Sequence, residues 1–384
     1  MTWRVPRRRL LAGTVGLAAL AGCGYRPGGG DVRWTTSDAT GGFGDGEAIY
    51  GSSDGVLAVS RSVRRYDFER ETWLDGGVVT AYDPTDGERR AETTTEPISR
   101  DCAGESSVYL GTAPALVAVG TDGMERWRAP IDAPPVAVAS DGGRVVVLTD
   151  AGRLAAFAAD GTRQWTTAVV DGDRENAAAP DDTDTERPGS VVSPDSVVAV
   201  SSGVAVVQLG RSRPRLVAVD ADGTVRWTRG DVEVGPVRRI PPVVTDGRLL
   251  VVSERGLVSV SPEDGAEQWV VPTASPSGLA VAGDRCYLLE RSGLSAVSLD
   301  GRERWTFGLP EGGDVGRRFS AGPAATAERV FVATGRRLFG VAPDGTEHWR
   351  APIDARPRDL ALAPGVVVRT ADRELVAHWR RDQF

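Results

Sequence analysis

Short apolar runs alternate with turns rich in glycine and aspartate along most of the chain. The clearest unit lies between residues 136 and 168. Val136–Ser140 predicts one strand, Asp141-Gly142-Gly143 a turn, Arg144–Thr149 a second strand, Arg153–Ala158 a third and Gln164–Ala168 a fourth. The second and third are almost unbroken Val, Ala and Leu, the pattern of strands covered on both faces. Asp-Gly supplies the positive φ that two-residue hairpins require.

The fourth strand of that unit recurs. An apolar strand, a turn ending in glycine, three residues and then tryptophan appear at Gly123–Trp127, Gly161–Trp165, Gly223–Trp227, Gly265–Trp269, Gly301–Trp305 and Gly345–Trp349. The offset from Gly to Trp never changes. From Trp127 to Trp349 the spacings are 38, 62, 42, 36 and 44 residues. A unit near 40 residues with four short strands is the signature of a β-propeller blade.

Two copies are degenerate. Ala81–Gly87 matches the turn, but Ala91 stands where tryptophan would be. Gly30–Trp34 keeps the tryptophan but has no strand before it, and Glu374–Trp379 at the other end of the chain is its missing partner. Eight fourth strands predict an all-β, eight-bladed propeller over residues 31–384. Its last blade combines residues 359–379 with the strand around Trp34, a closure that removes the open edge of the ring. Seven blades is the alternative if the copy at Ala91 fails to complete a sheet. A large rigid ring at Trp34, Trp127, Trp165, Trp227, Trp269, Trp305 and Trp349 is expected to fill the gap between blades and to donate its N–H to a carbonyl of the adjacent motif.

The N-terminus reads as an address. Arg7, Arg8 and Arg9 precede an apolar run, Leu10–Ala21, that is too short to span a bilayer, and the run ends in Leu20-Ala21-Gly22-Cys23. This resembles a lipobox, with Cys23 the lipid acceptor. Arg7 and Arg8 resemble a twin-arginine export signal, a general secretion signal being the alternative. The expected division is a signal peptide over 1–22, a lipidated Cys23 with a flexible tether to residue 30, and a propeller from 31 onward. The expected location is the outer face of the cell membrane, held by lipid.

Composition adds limits. All 45 basic residues are arginine, the formal net charge is −8, and loss of the four arginines before Cys23 makes the mature chain more acidic. Such a surface argues against nucleic acid as a partner. Lysine-free, aspartate-rich composition is similar to that of extreme halophiles, or follows from high-GC codon usage. Cys23, Cys102 and Cys286 form no ligand or disulfide pattern.

Ala218-Val219-Asp220-Ala221-Asp222-Gly223-Thr224-Val225-Arg226-Trp227 resembles the tryptophan-docking motif of the pyrroloquinoline quinone (PQQ) repeat family, and Ala81–Gly87 matches its first half. The resemblance covers about residues 31–384. The family includes PQQ-dependent alcohol dehydrogenases and BamB-type lipoproteins of outer-membrane assembly. It implies that the dehydrogenases carry adjacent cysteines, a calcium site and long active-site insertions. This chain has no adjacent cysteines and is almost wholly used by its blades, so PQQ and Ca²⁺ are not expected and the lipoproteins are the better match. Cys102 and Cys286 fall in the second and sixth blades and read as small buried apolar residues.

Candidate chemistry is sparse. His348 and His378 each precede a tryptophan in what reads as the same outer-strand setting, with no partner at metal or triad spacing. Asp220 and Asp222 open a loop whose fifth and twelfth positions, Thr224 and Asp231, fail a calcium loop. Three longer connections remain: residues 61–77, 170–196 and 310–318. All three open on one face of a propeller, and loops on a rigid scaffold carry binding. The first holds Arg64, Arg65, Tyr66, Phe68 and Trp73, the residue types that dominate interfaces; the second is acidic. These features predict a non-catalytic, monomeric interaction module for membrane or cell-envelope proteins. A quinoprotein redox protein and a cell-envelope carbohydrate-binding propeller are the alternatives.

Overall fold

The computed structural model describes residues 28–36, 47–67, 71–170, 192, 196–209, 215–230, 240–245, 247–253, 255–273, 276–290, 293–309, 320–334, 336–354, 357–371 and 374–381. The signal segment, Cys23, Phe68 and the acidic stretch 171–190 lie outside them, as do residues 310–319.

The described strands form eight antiparallel four-stranded sheets. Blades 1 to 7 span residues 47–95, 98–130, 135–168, 197–229, 243–271, 278–308 and 320–352 in chain order. Blade 8 takes Leu360–Ala363, Val366–Ala371 and Glu374–Trp379 from one end of the chain and its outer strand, Val32–Thr36, from the other. Thr36 pairs with Leu375 and Val32 with His378. Eight blades replace the seven-bladed alternative, because Arg89–Thr95 completes the first sheet although Ala91 lacks the ring.

Middle strands are buried over most of their length. Ala115–Gly120, Val204–Leu209 and Gly293–Ser298 have every residue buried. Each is a short Val, Leu and Ala run because both sheet faces meet a neighbouring blade. The core is correspondingly distributed among the gaps between blades. Val146, Leu148 and Leu154 of blade 3, for example, pack with Val198 and Val207 of blade 4.

A bulge explains the constant offset from Gly to Trp. In every blade the outer strand skips one residue just before the repeat position. In blade 2, Glu125 pairs with Val119 and Trp127 with Ala118. The bulge re-aims the ring, and the residue opposite it is always small: Ala118, Ala156, Ala218, Ser259, Ala296, Gly340 or Ala377. Each ring lies over the turn glycine of the next blade. A Cβ on Gly161 would stand 2.7 Å from the Trp127 ring, and one on Gly223 would stand 2.9 Å from that of Trp165. The indole N–H donates to a turn carbonyl: Trp34 to Pro84 at 3.0 Å, Trp127 to Ala159 at 2.6 Å, Trp165 to Ala221 at 2.7 Å and Trp227 to Pro262 at 2.9 Å. Trp269 reaches Leu299 at 3.1 Å, Trp305 reaches Pro343 at 2.7 Å, and Trp349 closes the series on Arg380 at 3.1 Å.

The two histidines are not equivalent. His348 is exposed on the outer strand of blade 7, whereas His378 is buried on the third strand of blade 8. The outer strand of that blade comes from the N-terminal segment, so a sequence position that looks terminal is covered. His378 Nδ1 lies 2.7 Å from the Gly30 carbonyl and its Nε2 accepts from Arg369 Nε at 3.0 Å. Those partners require the neutral ring with its proton on Nδ1, and burial holds its pKa down to about 4.

Candidate functional site

Antiparallel order places the link from second to third strand and every blade-to-blade connection on one face of the ring. In blade 1 the second and third strands run on past the sheet as Val56–Asp67 and Thr72–Tyr82. Residues 61–67 and 72–77 are therefore a continuation of both strands and not the loop that the sequence predicts. Beyond Gly77, where Thr95 makes its last pair, the hairpin stands alone, with Arg64 opposite Asp75, Arg65 opposite Leu74 and Tyr66 opposite Trp73. Alternating charged and aromatic residues read as a loop because they lack the apolar run of the repeat strands.

Trp73 is 55% exposed, the one tryptophan among the described residues more than half open to solvent. Arg64 lies over its ring at 5.3 Å and faces Asp75 at 3.6 Å. The connections that contain residues 171–190 and 310–319 leave from the same face.

A cleft of about 410 Å³ opens at the foot of the hairpin, between blades 1 and 2. Gly76 and Gly77 form one wall, Thr94, Thr95 and Glu96 another, and Arg128 of blade 2 a third. Arg128 is fixed there by Glu96 at 2.7 Å and Glu125 at 3.0 Å. Thr95 Oγ1 donates to Glu96 at 2.8 Å. The hydrogen bond from Arg128 keeps the Glu96 carboxyl below its usual range.

Deeper on the same side lies a polar cluster that joins three blades. The second strand of blade 1 slips register between Ser60 and Val63, and the bulged Arg61 pairs with Asp101 on the inner strand of blade 2. Tyr50 Oη donates to the same carboxylate at 2.5 Å, and the Asp101 side chain is wholly buried. Burial first, and the Asp101 charge second, hold the Tyr50 hydroxyl well above its ordinary pKa. Asp359 of blade 8 accepts from the Ile49 amide at 2.9 Å and from its neighbour Leu360 at 2.8 Å. Burial raises its carboxyl to about 6 despite those bonds. Sequence reading missed Asp101 and Asp359. Nothing nearby in the sequence marks Asp101, whose partners lie 40 and 51 residues away.

The cluster is arranged for cohesion. Each carboxylate already has its donors. Among the described residues no group of three or more His, Cys, Asp or Glu side chains converges as metal ligands would. Cys102 sits on blade 2 and Cys286 on blade 6, and burial pushes both thiols up to about 12, far from the thiolate a nucleophile needs. Asp220 and Asp222 make a hairpin turn, with Gly223 N donating to Asp220 O at 3.0 Å and Thr224 N to Asp222 Oδ1 at 2.9 Å. The Asp220 carbonyl and the Asp222 carboxylate are thus engaged within their own turn.

No curated protein matches the chain. Among solved structures, BamB from Moraxella catarrhalis is 18% identical with a TM-score of 0.56, covering 86% of this chain and 95% of that one. A computationally designed protein, Ika8, is 10% identical with a TM-score of 0.64, covering 91% and 99%. The Pan2 WD40 domain of Neurospora crassa is 7% identical with a TM-score of 0.52, covering 94% and 98%. At these identities the likeness is one of fold. The sequence also matches the PQQ-repeat family described as outer membrane protein assembly factor BamB, in three overlapping stretches, 75–181, 175–312 and 290–382. These follow the repeat from the hairpin of blade 1 to the last strand of blade 8, and the chain belongs to that family.

Proposed function

We propose that this protein is an exported, non-catalytic propeller, anchored to the outer face of the cell membrane through lipid on Cys23, that captures a protein partner with the hairpin face of blades 1 and 2. The observation that carries the reading is the hairpin that outruns its blade and holds Trp73 open to solvent with Arg64 over its ring. Trp and Arg are the residues on which interface affinity concentrates. The family description names an assembly factor, and what we carry to this chain is the use of a propeller to hold another protein. Twin-arginine export through Arg7 and Arg8 fits a chain whose two ends must pair before the ring closes, since that route moves folded proteins. The propeller works in this reading without PQQ.

The test is site-specific photo-cross-linking from position 95, at the foot of the hairpin, on intact membranes, with deletion of residues 62–76 as the comparison. A discrete adduct that the deletion abolishes, in a chain that still folds, supports the reading. Capture that survives the deletion refutes it. Titration of the folded chain with PQQ and Ca²⁺, followed by tryptophan fluorescence, is expected to show no saturable change.

A further inference from the structure

The outer strand of blade 1 stops short of the strand it covers. Arg89–Thr95 pairs with Thr72–Tyr82 from Tyr82 back to Gly77, and the Gly77 amide then donates to the Glu96 carbonyl at 3.2 Å. Past Glu96 the chain leaves for Ile98, where blade 2 begins. The hairpin goes on. Among the described residues no strand pairs with residues 74–76 on the side that Arg89–Thr95 has left.

Amides and carbonyls alternate sides along a paired strand. Gly77 turns its amide toward the outer strand, so Asp75 turns its own amide and carbonyl the same way, beyond the point where that strand ends. The Asp75 side chain is 61% exposed, and its carboxylate faces Arg64 across the hairpin at 3.6 Å. A backbone N–H and C=O side by side on an open edge are the template for one more strand.

The 410 Å³ cleft lies between this edge and the end of the outer strand. Gly76 and Gly77 bring no side chains to its wall, and the buried Val63 and Val78 give it apolar surface. A strand laid along Asp75 in continuation of Arg89–Thr95 passes the cleft and can seat one apolar side chain there. Charge narrows the occupant further. Residues 62–76 hold three arginines and four acids, and Glu96, Glu125 and Arg128 at the foot bring the count to four arginines and six acids. A basic segment complements that balance, whereas a second copy of this chain would bring the same excess of acids to the contact. We infer that the edge at Asp75 receives an extended segment of the partner protein as a fifth strand of blade 1, with basic residues along it and an apolar one in the cleft. The inference rests on the capture reading and names what the partner presents.

The test follows fluorescence anisotropy of a labelled peptide of alternating valine and lysine, acetylated and amidated at its ends, against the membrane-extracted full chain in mild detergent at fixed salt. Saturable binding is expected, weaker when glutamate replaces lysine. The same peptide methylated at every backbone nitrogen should lose about tenfold, a change that leaves the protein untouched. Asp75→Pro removes the edge amide and spares the pairing with the Arg64 strand, so it should also cost about tenfold. Asp75→Ser keeps the amide and should stay within about threefold of the parent. Equal binding by the two variants, undiminished binding of the methylated peptide, or no saturable binding at all overturns the inference. A dimer seen by light scattering that Asp75→Pro dissolves assigns the edge to a second copy and overturns it too. Cross-linking from position 95 reads capture separately. An adduct that the 62–76 deletion abolishes but Asp75→Pro leaves intact removes strand addition and upholds capture, whereas peptide binding that obeys Asp75→Pro with no adduct on membranes upholds the edge and removes capture.

Discussion

Replacing Gly161 with alanine tests the claim that the ring and the turn glycine of the next blade form one unit. Gly161 has φ +85°, and its added Cβ would stand 2.7 Å from Trp127. Left-handed backbone alone costs an alanine about 1–2 kcal/mol. The clash must also lift the ring, which loses its bond to Ala159 and part of its packing, together about 2 kcal/mol more. Trp127→Ala, which truncates a partly buried ring, should cost about 3 kcal/mol, the low end for a large aromatic. Once the ring is gone the clash is gone too. The double variant should then cost about 4–5 kcal/mol and fall short of the sum of the singles by about 2 kcal/mol. Gly142→Ala is the control, because Gly142 also has positive φ but an added Cβ meets nothing within 4 Å. It should carry the backbone cost alone and add to Trp127→Ala without coupling. Urea unfolding at fixed salt, followed by circular dichroism, measures the parent and all five variants. Additivity of Gly161→Ala with Trp127→Ala within about 0.5 kcal/mol would refute the docking argument, since independent sites behave that way.

Other expectations concern the cluster, the histidine, the thiols and the hairpin. Arg61→Ala should destabilise the chain by about 2–3 kcal/mol in the same urea assay, because it strips a wholly buried Asp101 of its cation, and a change under 0.5 kcal/mol would show that Tyr50 alone suffices. As pH falls from 6.5 to 4 the unfolded chain protonates His378 while the folded ring, held at about 4, does not, so folding loses about 3 kcal/mol on that account; Asp359, raised to about 6, contributes the opposite trend from pH 6 downward. His378→Gln should therefore gain on the parent by about 3 kcal/mol across that acidification, and a constant difference would contradict the neutral ring. Cys286 should resist a thiol reagent at pH 8 until urea unfolds the chain, whereas the half-buried Cys102 is expected to react sooner, and rapid labelling of Cys286 in the native protein would contradict its burial. Trp73→Ala should leave stability within about 0.5 kcal/mol while removing the cross-linked adduct, and loss of folding would move Trp73 into the framework.

The repeat was legible because one constraint is written eight times. A bulged outer strand, a ring aimed by the bulge and a glycine beneath it demand the same residues at the same offset, so the blade count and the union of Trp34 with Glu374–Trp379 follow from spacing alone. Two readings failed where that constraint does not reach. Residues 61–77 read as a loop because they carry no apolar run, although backbone pairing continues as far as Asp67 and Thr72. His378 was paired with His348 because both precede a tryptophan, yet in blade 8 a strand from the far end of the chain takes the outer place. The polar cluster was invisible for a different reason. Asp359 reaches Ile49 across 310 residues, a contact that exists only once the ring closes.

The one missing tryptophan falls where the candidate site lies. Seven of the eight gaps between blades are closed by a docked ring, and the eighth, between blades 1 and 2, has Ala91 against Gly123. The same gap holds the protruding hairpin, the 410 Å³ cleft and the carboxylate of Asp101 with its two donors. Without the ring, cohesion passes to charge: Arg61 of blade 1 to Asp101 of blade 2 near the centre, and Arg128 of blade 2 to Glu96 toward the rim. A docked indole would cover the turn and fix the spacing of the two blades. Alanine leaves that spacing to polar contacts, which tolerate small displacements and exchange with a partner's groups at lower cost than a packed ring can be lifted. Departures from a local rule concentrate at sites that work, and here the departure, the hairpin and the cleft coincide. Ala91→Trp follows as the sharpest variant. A ring donated to the turn at Gly123 should stiffen this gap and stabilise the propeller. If the gap must yield to admit a partner, the same substitution should weaken cross-linking from position 95, and a more stable chain that captures its partner undiminished would show that the gap is only a scaffold.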